Sequence, residues 1–405
     1  MAEVRYTEGT LSKRGGKWQA SVTYGDPVTG SRRRKSKIFD LECEQGGKEV
    51  NRRKAEQLMH KWRDRLLQDD RVRALAEEEE RRCERNLVTV GDWVTTYVNR
   101  RASEGSIEPS TVTGYYATAK RIKADPIASV RVVALTRNMI QDFEARLVED
   151  GLSASTVRKA YRLLDQSMRE AVLDEIIETP PTFGVRQPKL PHRCPNSLTA
   201  SGRASLVAHL REAGMSPMTV AAWIALFTGL RRGEVCGLRW RDVSLDDRMM
   251  LVTRSIGEGR GGSSYIKGPK THRTRDVPIA GQLAGVLSVW YAQCRDEWGL
   301  TDGEMFDLYV IGNAEGGFCL PTYITEGWRV LSRGWNLVGT AGRRVTFHDL
   351  RHTFATAAIV GGLDVKTVSS ILGHSSAAMT LDIYASADPD AKRAAADRID
   401  ALIVV

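Results

Sequence analysis

Hydrophobic and polar residues alternate near the beginning of the chain, over residues 17–24. The apolar positions there are Trp18, Ala20, Val22 and Tyr24. A period of two is typical of a β-strand that buries one face. Residues 25–30 have the composition of a turn, and the basic run at 32–37 leads into two apolar residues that predict a second strand. The N-terminal segment is therefore predicted to form a small β-sheet.

The pattern changes to a helical period after this segment. Residues 48–85 contain no glycine and place Leu58, Trp62 and Leu66 at spacings of four, which predicts one long, charged helix. From residue 89 to residue 177, amphipathic helical patterns repeat between turn signals, without an alternating strand pattern. One apolar stripe in this region consists of Val157, Tyr161, Leu164 and Met168. We expect a helical bundle with this stripe in its core.

A cluster of prolines separates the helical region from the rest of the chain. Five prolines lie between residues 180 and 195, which predicts an extended connector. Downstream, helical patterns alternate with a short sheet predicted between residues 250 and 279. The predicted fold class is multidomain α+β: a small N-terminal β-sheet domain, a helical bundle, and a mainly α C-terminal domain with a small antiparallel sheet. The predicted boundaries are 1–47 for the β domain, 48–86 for a helical linker, 87–178 for the bundle, 179–196 for the connector and 197–405 for the C-terminal domain.

Composition agrees with a globular protein of two or three domains. The chain has 405 residues, of which 42% are hydrophobic and 27% charged. Its longest uninterrupted apolar run, residues 220–227, is far shorter than the roughly 18 to 20 residues that span a bilayer. The first ten residues lack the apolar core of a secretory signal, so we expect the protein to act in the cytosol. The six cysteines are scattered singly, which favours neither a zinc site nor a disulfide framework.

Positive charge is concentrated near the N terminus. The chain carries a net charge of +9, and residues 1–40 hold nine basic against four acidic residues. A local positive field is typical of a protein that binds nucleic acid or another anionic surface, although a merely solvated charged face would have the same composition. A β-ribbon with a basic edge can enter a major groove of DNA. The candidate DNA-binding residues are Arg14, Lys17, Arg32, Arg33, Arg34, Lys35 and Lys37.

Two basic residues of the C-terminal domain have a context that suits phosphate chemistry. Arg231 follows a glycine-containing turn at a predicted helix start, where a guanidinium can bind a phosphate through two hydrogen bonds. The same segment, TGLRRGE, could equally be a capped helix with an Arg–Glu pair. Lys270 precedes a strand-like segment and is predicted to lie on a hairpin, from which its ammonium could reach a substrate oxygen. Taken alone, this lysine would be an ordinary surface residue.

Histidines, an arginine and a tyrosine complete the candidate set. His348 and Arg351 are three residues apart at a predicted helix start, so they share a face that could bind a phosphodiester. A structural hydrogen-bonded pair would have the same spacing. The next helix ends at Gly373, and His374 follows at once. Tyr384 lies ten residues further on, and a lone tyrosine is more often a buried or interfacial aromatic.

Together these segments resemble the tyrosine recombinase (phage integrase) family, in the arm-binding integrase type. The residues at the family's motif positions are Arg231, Lys270, His348, Arg351, His374 and Tyr384. Their local contexts, TGLRRGE, PKT, HDLRHTFAT and LGH, agree with the family as well, and no catalytic position departs from it. The resemblance extends to residues 89–177, which look like the family's helical core-binding domain. Residues 1–40 resemble the three-stranded arm-binding domain that some integrases carry.

The resemblance implies a metal-free and cofactor-free transfer of DNA strands. Tyr384 would attack a phosphodiester and form a 3′-phosphotyrosyl bond, while Lys270 protonates the departing 5′ oxygen. Arg231 and Arg351 would clamp the phosphate, and both histidines would donate further hydrogen bonds. His348 could also accept the tyrosine proton, because free tyrosine has a pKa near ~10 and is a poor nucleophile at neutral pH. The bond energy is kept in the phosphotyrosine, so no ATP is needed; the acidic Glu234 beside Arg231 is interpreted as structural.

The function implied is that of an integrase that acts through a Holliday junction and inserts or excises a mobile element or prophage. Its partners would be double-stranded attachment sites with core and arm sequences, further copies of the chain in a tetramer, and an excisionase or host DNA-bending protein. The expected location is the cytoplasm of a bacterial host. Two alternatives are a catalytically silent DNA-binding protein that keeps the recombinase fold and a type IB topoisomerase, which shares this chemistry but relaxes DNA without exchanging partners. The intact catalytic set argues against the first, and the basic N-terminal segment with the C-terminal tail argues against the second.

Overall fold

The computed structural model describes residues 6–25, 31–191, 194–268 and 274–374. The N-terminal sheet predicted from alternation is confirmed and has three antiparallel strands in the order β1-β2-β3. These are β1 (Thr10–Arg14), β2 (Lys17–Gly25) and β3 (Arg32–Glu42), followed by a hairpin of β4 (Glu44–Gln45) and β5 (Lys48–Glu49). The central strand β2 carries the alternating residues that defined the pattern, and of these Trp18, Ala20 and Val22 are buried.

The buried face of this sheet packs against helix α1 (Arg52–Leu87). Trp18 contacts Ala55 of the helix, and its indole nitrogen donates a hydrogen bond to the carbonyl of Val50 at 2.9 Å. Ala20 and Met59 belong to the adjoining apolar cluster. The first turns of the long helix therefore belong to the core of the sheet.

Four helices occupy the region predicted to be a bundle. They are α2 (Val90–Ser103), α3 (Pro109–Ala124), α4 (Arg137–Glu149) and α5 (Ala154–Leu173). Within the predicted stripe on α5, Val157, Leu164 and Met168 are buried, whereas Tyr161 is half-buried. The proline-rich stretch is free of helix and strand in its described residues, 179–191 and 194–196.

The described chain divides into two compact units. The first holds the described residues up to 94 together with 123–143 and 164–185. The second holds 95–122, 144–163 and the described residues from 186 onward. The second unit contains a large apolar core, which supports the helix ends and strands that carry the candidate site.

This core is built around helix α7 (Pro217–Thr228), which is buried on almost every side. Ser216 caps its N terminus by accepting a hydrogen bond from the backbone of Thr219 at 3.2 Å, and Pro217 occupies the first turn, where a missing N–H costs nothing. The apolar run at 220–227 thus forms a core helix, as a helix that is hydrophobic all round should. The other helices of the domain are α6 (Ala200–Glu212), α8 (Arg232–Gly237), α9 (Gly281–Trp298), α10 (Asp302–Met305), α11 (Pro321–Gly334), α12 (Phe347–Val360) and α13 (Val365–Leu372).

Short strands lie between α8 and α9, which confirms the small sheet predicted there. They are β6 (Val243–Ser244), β7 (Met249–Val252), β8 (Ser255–Glu258), β9 (Ser264–Lys267) and β10 (Arg275–Pro278). One antiparallel sheet has the order β10-β7-β6, and β8 pairs with β9 as a separate hairpin. Because β10 pairs with β7 through Arg275 opposite Val252, its first residue has a fixed position at the edge of the core.

Gly229 ends helix α7 and permits three helices to meet. Its φ of 68° is left-handed, and a Cβ there would lie 2.5 Å from Cδ2 of Leu372 and 2.7 Å from Cδ1 of Phe354. These contacts come from α13 and α12. Glycine is therefore required both by the backbone conformation and by the close approach of the two helices.

We predict that Gly229→Ala lowers the free energy of unfolding by about 2–5 kcal/mol, about 1–2 from the left-handed alanine and about 1–3 from overpacking. Gly214→Ala is the matched control, because Gly214 has a similar φ of 72°, but a methyl group added to it would have no atom within 4 Å. The control should lose only about 1–2 kcal/mol in urea unfolding. Equal losses for the two variants would contradict the proposed close approach.

Candidate active site

Arg231 lies between the buried helix α7 and the short helix α8. It is the N-terminal cap of α8, and its backbone N–H donates to Oε2 of Glu234 at 2.9 Å. Its guanidinium donates to the other carboxylate oxygen, with Nη1 3.0 Å from Oε1. About a quarter of the side chain, 23%, remains exposed, so Arg231 is held from one side and open on the other.

Arg351 enters the same region from helix α12. A reciprocal cap between Thr346 and Asp349 fixes the start of this helix. Arg351 is buried, and its guanidinium donates to the carbonyl of Gly229 at 2.7 Å. Burial, followed by the positive charge of Arg231, lowers the pKa of Arg351 to about 9. The group is therefore still protonated at neutral pH.

The carbonyl end of helix α13 binds three guanidiniums. The pairs are Arg275 Nε with Ile371 O at 2.7 Å, Arg351 Nη2 with Leu372 O at 2.8 Å, and Arg231 Nη2 with Gly373 O at 3.2 Å. The last carbonyls of a helix have no partner within the helix and carry the negative end of its dipole. Three consecutive carbonyls thus satisfy three arginines from three different segments of the chain.

Glu234 is the acidic partner of this cluster and is almost completely buried. Its two oxygens accept hydrogen bonds from Nη1 of Arg275 at 3.2 Å and from Nη2 at 2.6 Å, besides those from Arg231. Burial by itself raises the pKa of Glu234, but the hydrogen bonds and charges of Arg275 and Arg231 outweigh it and hold the pKa below its usual value. The carboxylate is therefore ionised and fixes two of the three arginines.

Three histidines border the arginine cluster. His348 and His352 lie one turn apart on α12, with their rings edge to face and their centroids 4.9 Å apart. The His348 ring is open to solvent on one side, yet the surrounding protein and the charges of His352 and Arg351 lower its pKa. For His374, burial and then the charges of Arg351 and Arg231 lower the pKa to about 4. These imidazoles are therefore neutral at pH 7, each with one donor and one acceptor nitrogen.

The structure brings together four of the six residues predicted to be catalytic. Arg231, Arg351 and His374 meet at the end of α13, and His348 lies one turn before Arg351 on α12. The other two, Lys270 and Tyr384, lie outside the described residues. The described residues stop at 268, two residues before Lys270, and resume at 274.

Sequence reasoning missed two members of the site. Arg275 gave no periodic signal, because its role depends on the strand register that brings β10 beside α13. His352 could have been found, since it lies four residues after His348 and must share its helix face. Its Nδ1 is buried without a hydrogen-bond partner among the described residues.

The basic residues of strand β3 lie on both faces of the N-terminal sheet. Arg32 lies opposite Gly25 and Arg34 opposite Thr23, on the face that points away from α1, where Arg34 donates to Oγ of Ser21 at 2.8 Å. Arg33, Lys35 and Lys37 alternate with them and belong to the other face. Arg14, Arg32, Arg33, Arg34 and Lys37 are exposed.

Lys17 and Lys35, two of the predicted DNA-binding residues, contact acidic or aromatic side chains nearby. Lys17 forms an ion pair with Asp40. Lys35 donates to the hydroxyl of Tyr6 at 2.8 Å and lies 5.1 Å from the ring centroid of Tyr24, while the Tyr6 hydroxyl donates to Asp70 on α1 at 2.6 Å. Lys35 thereby ties the sheet to the helix.

Residues 197–390 match the model of the phage integrase family. These residues form a phage integrase family domain. Among curated relatives, a "Tyrosine recombinase XerC-like" protein of Caldanaerobacter subterraneus is 25% identical over 336 residues, 78% of this chain and 84% of its own. The ICEBs1 integrase of Bacillus subtilis is 24% identical over 400 residues, 96% of this chain and 98% of its own.

Solved structures share the fold. The Tn1549 transposon integrase, in complex with a circular intermediate DNA, matches with a TM-score of 0.62 and 22% identity over 77% of this chain and 99% of its own. A lambda integrase tetramer bound to a Holliday junction matches with a TM-score of 0.56 and 20% identity over 90% of this chain and 95% of its own. At these identities the likeness establishes the shared fold, and the chemistry must be argued from the chain's own residues.

Two further observations concern other classes of protein. Within the described residues, no group of three or more histidine, cysteine or acidic side chains is arranged to hold a metal ion. None of the helices in that part of the chain has the length and apolar composition that a membrane span requires.

We predict that acidification from pH 7.5 to 5 lowers the stability of the DNA-free protein. In the unfolded chain the histidines take up protons near their ordinary pKa of about 6.5, whereas the pKa of folded His374 is about 4. Stability is therefore present above pH 6.5 and is lost as the pH falls toward 4. Urea midpoints at both pH values should show a smaller loss for His374→Gln than for wild type. His60→Gln, at an exposed position on α1, is the control and should keep the wild-type loss.

Proposed function

We propose that this protein is a site-specific DNA recombinase that cuts and rejoins strands through a 3′-phosphotyrosyl intermediate and a Holliday junction. Its biological task would be to integrate a mobile element or prophage and to excise it. The observation that carries the proposal is the meeting of Arg231, Arg351 and His374 at the end of α13, with His348 one turn before Arg351 on α12, within a phage integrase domain.

The charges of the site favour a phosphodiester as ligand. Three arginines, Arg231, Arg275 and Arg351, contribute three positive charges. Among their described contacts, the carboxylate of Glu234 offsets one of these charges. A phosphodiester would bring one negative charge, and more charge develops on its oxygens during attack. Arginine suits this task because its planar fork can hold two oxygens at once. The open side of Arg231 gives the phosphate access.

The histidines and the two residues outside the described part complete the proposed mechanism. Tyr384 acts as the nucleophile and Lys270 protonates the leaving 5′ oxygen. A neutral His348 can accept the proton of Tyr384, which a histidinium could not. His374 donates its N–H to a phosphate oxygen. Each step balances, because the bond formed to tyrosine replaces the bond broken to the 5′ oxygen.

For the whole chain we propose five parts. These are an arm-type DNA-binding domain at 1–47, a helical linker at 48–86, a core-binding domain at 87–178, a connector at 179–196 and the catalytic domain at 197–405. The N-terminal sheet packs on the first turns of α1, so the proposed arm-type domain shares its apolar core with the start of the linker. The outward-facing Arg32 and Arg34 are the best placed of its basic residues to contact a second DNA duplex.

We infer that the partners are core and arm attachment sites and three further copies of the chain, in a tetramer on DNA. The lambda integrase tetramer on a Holliday junction, which shares this fold, supports the assembly. An excisionase or a host DNA-bending protein would set the direction of the reaction. We place the reaction on DNA in the cytoplasm of a bacterial cell, as the similarity to the integrase of Bacillus subtilis suggests.

We predict that Tyr384→Phe abolishes covalent capture of DNA and leaves DNA affinity nearly unchanged, because it removes only the nucleophilic oxygen. A nicked core duplex should give an SDS-resistant adduct with the wild type, in the presence of EDTA, and none with the variant. An adduct formed by Tyr384→Phe would show that another residue is the nucleophile. Loss of the wild-type adduct on chelation would contradict the metal-free mechanism.

We predict that the two faces of β3 differ in DNA binding. The double variant Arg32→Ala/Arg34→Ala should no longer protect the sites that flank the core. It should also reduce the slope of log K against log salt concentration by about 2, since each lost phosphate contact contributes about 0.9 to that slope. The matched control, Arg33→Ala/Lys37→Ala, removes the same charge from the other face and should change both far less. Footprinting and salt titration on attachment-site DNA check this. Equal effects of the two pairs would instead indicate a nonspecific electrostatic tether.

A further inference from the structure

We propose that Arg275 is a positioning residue of the strand-cleavage reaction, which ties the strand after the Lys270 segment to the carbonyl end of α13 and so orients Arg231, Arg351 and His374 toward the scissile phosphate. This inference rests on the function proposed above. It assigns Arg275 no contact with DNA; the residue acts through its neighbours.

The position of Arg275 is fixed by the sheet. It is the first residue of β10 and pairs with Val252 on β7, so its backbone is held by a strand of the core. Only 8% of its side chain is exposed. From this anchor the guanidinium reaches Ile371, 96 residues further along the chain, with Nε 2.7 Å from the carbonyl oxygen.

All three nitrogens of the Arg275 guanidinium take part in the cluster. Nε binds the carbonyl of Ile371, and Nη1 and Nη2 bind the two oxygens of Glu234. This combination needs a rigid planar fork, because a lysine ammonium is a point charge on a flexible stem and cannot hold a carboxylate edge and a carbonyl in the same geometry. The hydrogen bonds of Arg275 point into the protein, so a phosphate has no direct path to it.

Gly373 shows how closely the guanidinium and the helix end are fitted. This residue ends α13 with a φ of 63°, and a Cβ on it would lie 3.1 Å from Cζ, Nε and Nη1 of Arg275. The guanidinium therefore lies against the backbone of the residue whose carbonyl binds Arg231 and whose successor is His374. A shift of Arg275 would move this backbone, and with it the groups proposed to bind the phosphate.

Arg275 also competes with Arg231 for the carboxylate of Glu234. With Arg275 present, Glu234 is shared between two guanidiniums, and Arg231 keeps its outer side open. Without Arg275, the buried carboxylate would have Arg231 as its remaining described ion-pair partner and would draw that guanidinium inward. A displacement of about 1 Å in a catalytic group can cost about 100-fold in rate.

The test compares Arg275→Met and Arg275→Lys with wild type in single-turnover cleavage of a nicked core duplex at saturating protein. Both variants should bind this duplex within about threefold of wild type, and the Met variant should cleave it about 100-fold more slowly. Arg275→Lys keeps the charge and should protect the fold, yet it should remain slower than wild type because it cannot reproduce the fork. Wild-type cleavage rates for the Lys variant, or for a folded Met variant, would overturn the inference.

A second substrate separates positioning from general damage to the fold. A methylphosphonate at the scissile position has no negative charge, so its cleavage depends less on the orientation of the arginines. The defect of Arg275→Met and Arg275→Lys should therefore shrink to about tenfold or less on this substrate. A defect of equal size on both substrates would mean that Arg275 is merely structural and would refute the proposal.

The matched control is Arg254→Met. Arg254 is also largely buried and forms an ion pair with Asp242 in the same domain, but it has no contact with α13 among its described hydrogen bonds. Its loss should lower thermal stability and leave the cleavage rate within about threefold. If the wild type itself forms no adduct, the proposed function is refuted. If the wild type forms the adduct and the Arg275 variants cleave at the same rate, only this inference is refuted.

Discussion

The structure of the site depends on how three buried or half-buried arginines are compensated. An uncompensated charge in a protein interior costs several kcal/mol, so each guanidinium needs nearby acceptors. Here one carboxylate, Glu234, and three consecutive carbonyls at the end of α13 supply them. The helix must therefore stop at Gly373, and the strand carrying Arg275 must run alongside it. The same contacts that satisfy the arginines would also fix the position of the phosphate in the proposed mechanism.

This constraint explains why helix ends, rather than helix faces, form the site. The end of α7 at Gly229 offers its carbonyl to Arg351, and the end of α13 offers three more. A glycine at each end permits a left-handed backbone; an added Cβ would collide with Leu372 at Gly229 and would lie in tight contact with Arg275 at Gly373. Residues far apart in sequence thus meet through backbone carbonyls together with the buried carboxylate of Glu234, which makes the geometry stiff.

The fold could be predicted where the pattern was periodic, as in the strand from Trp18 to Tyr24 and the stripe on α5, and these elements are confirmed. The motif also gave the four candidate residues that the structure brings together, although their catalytic roles remain predictions. Arg275 could not be predicted, because its contacts arise from strand register and from a helix end 96 residues away. Charge alone groups Lys35 with Arg34, whereas the period of two places them on opposite faces of the sheet.

A phosphodiester bound as proposed would couple the protonation of His374 to the presence of the substrate. In the free protein, burial and then the charges of Arg351 and Arg231 hold the pKa of His374 low, so the ring is neutral. A bound phosphodiester would offset part of that positive charge, and the pKa of His374 would rise toward its ordinary value. The shift would continue as negative charge grows on the phosphate oxygens. A histidine that is neutral before binding would thus become a stronger hydrogen-bond donor when the transition state requires one.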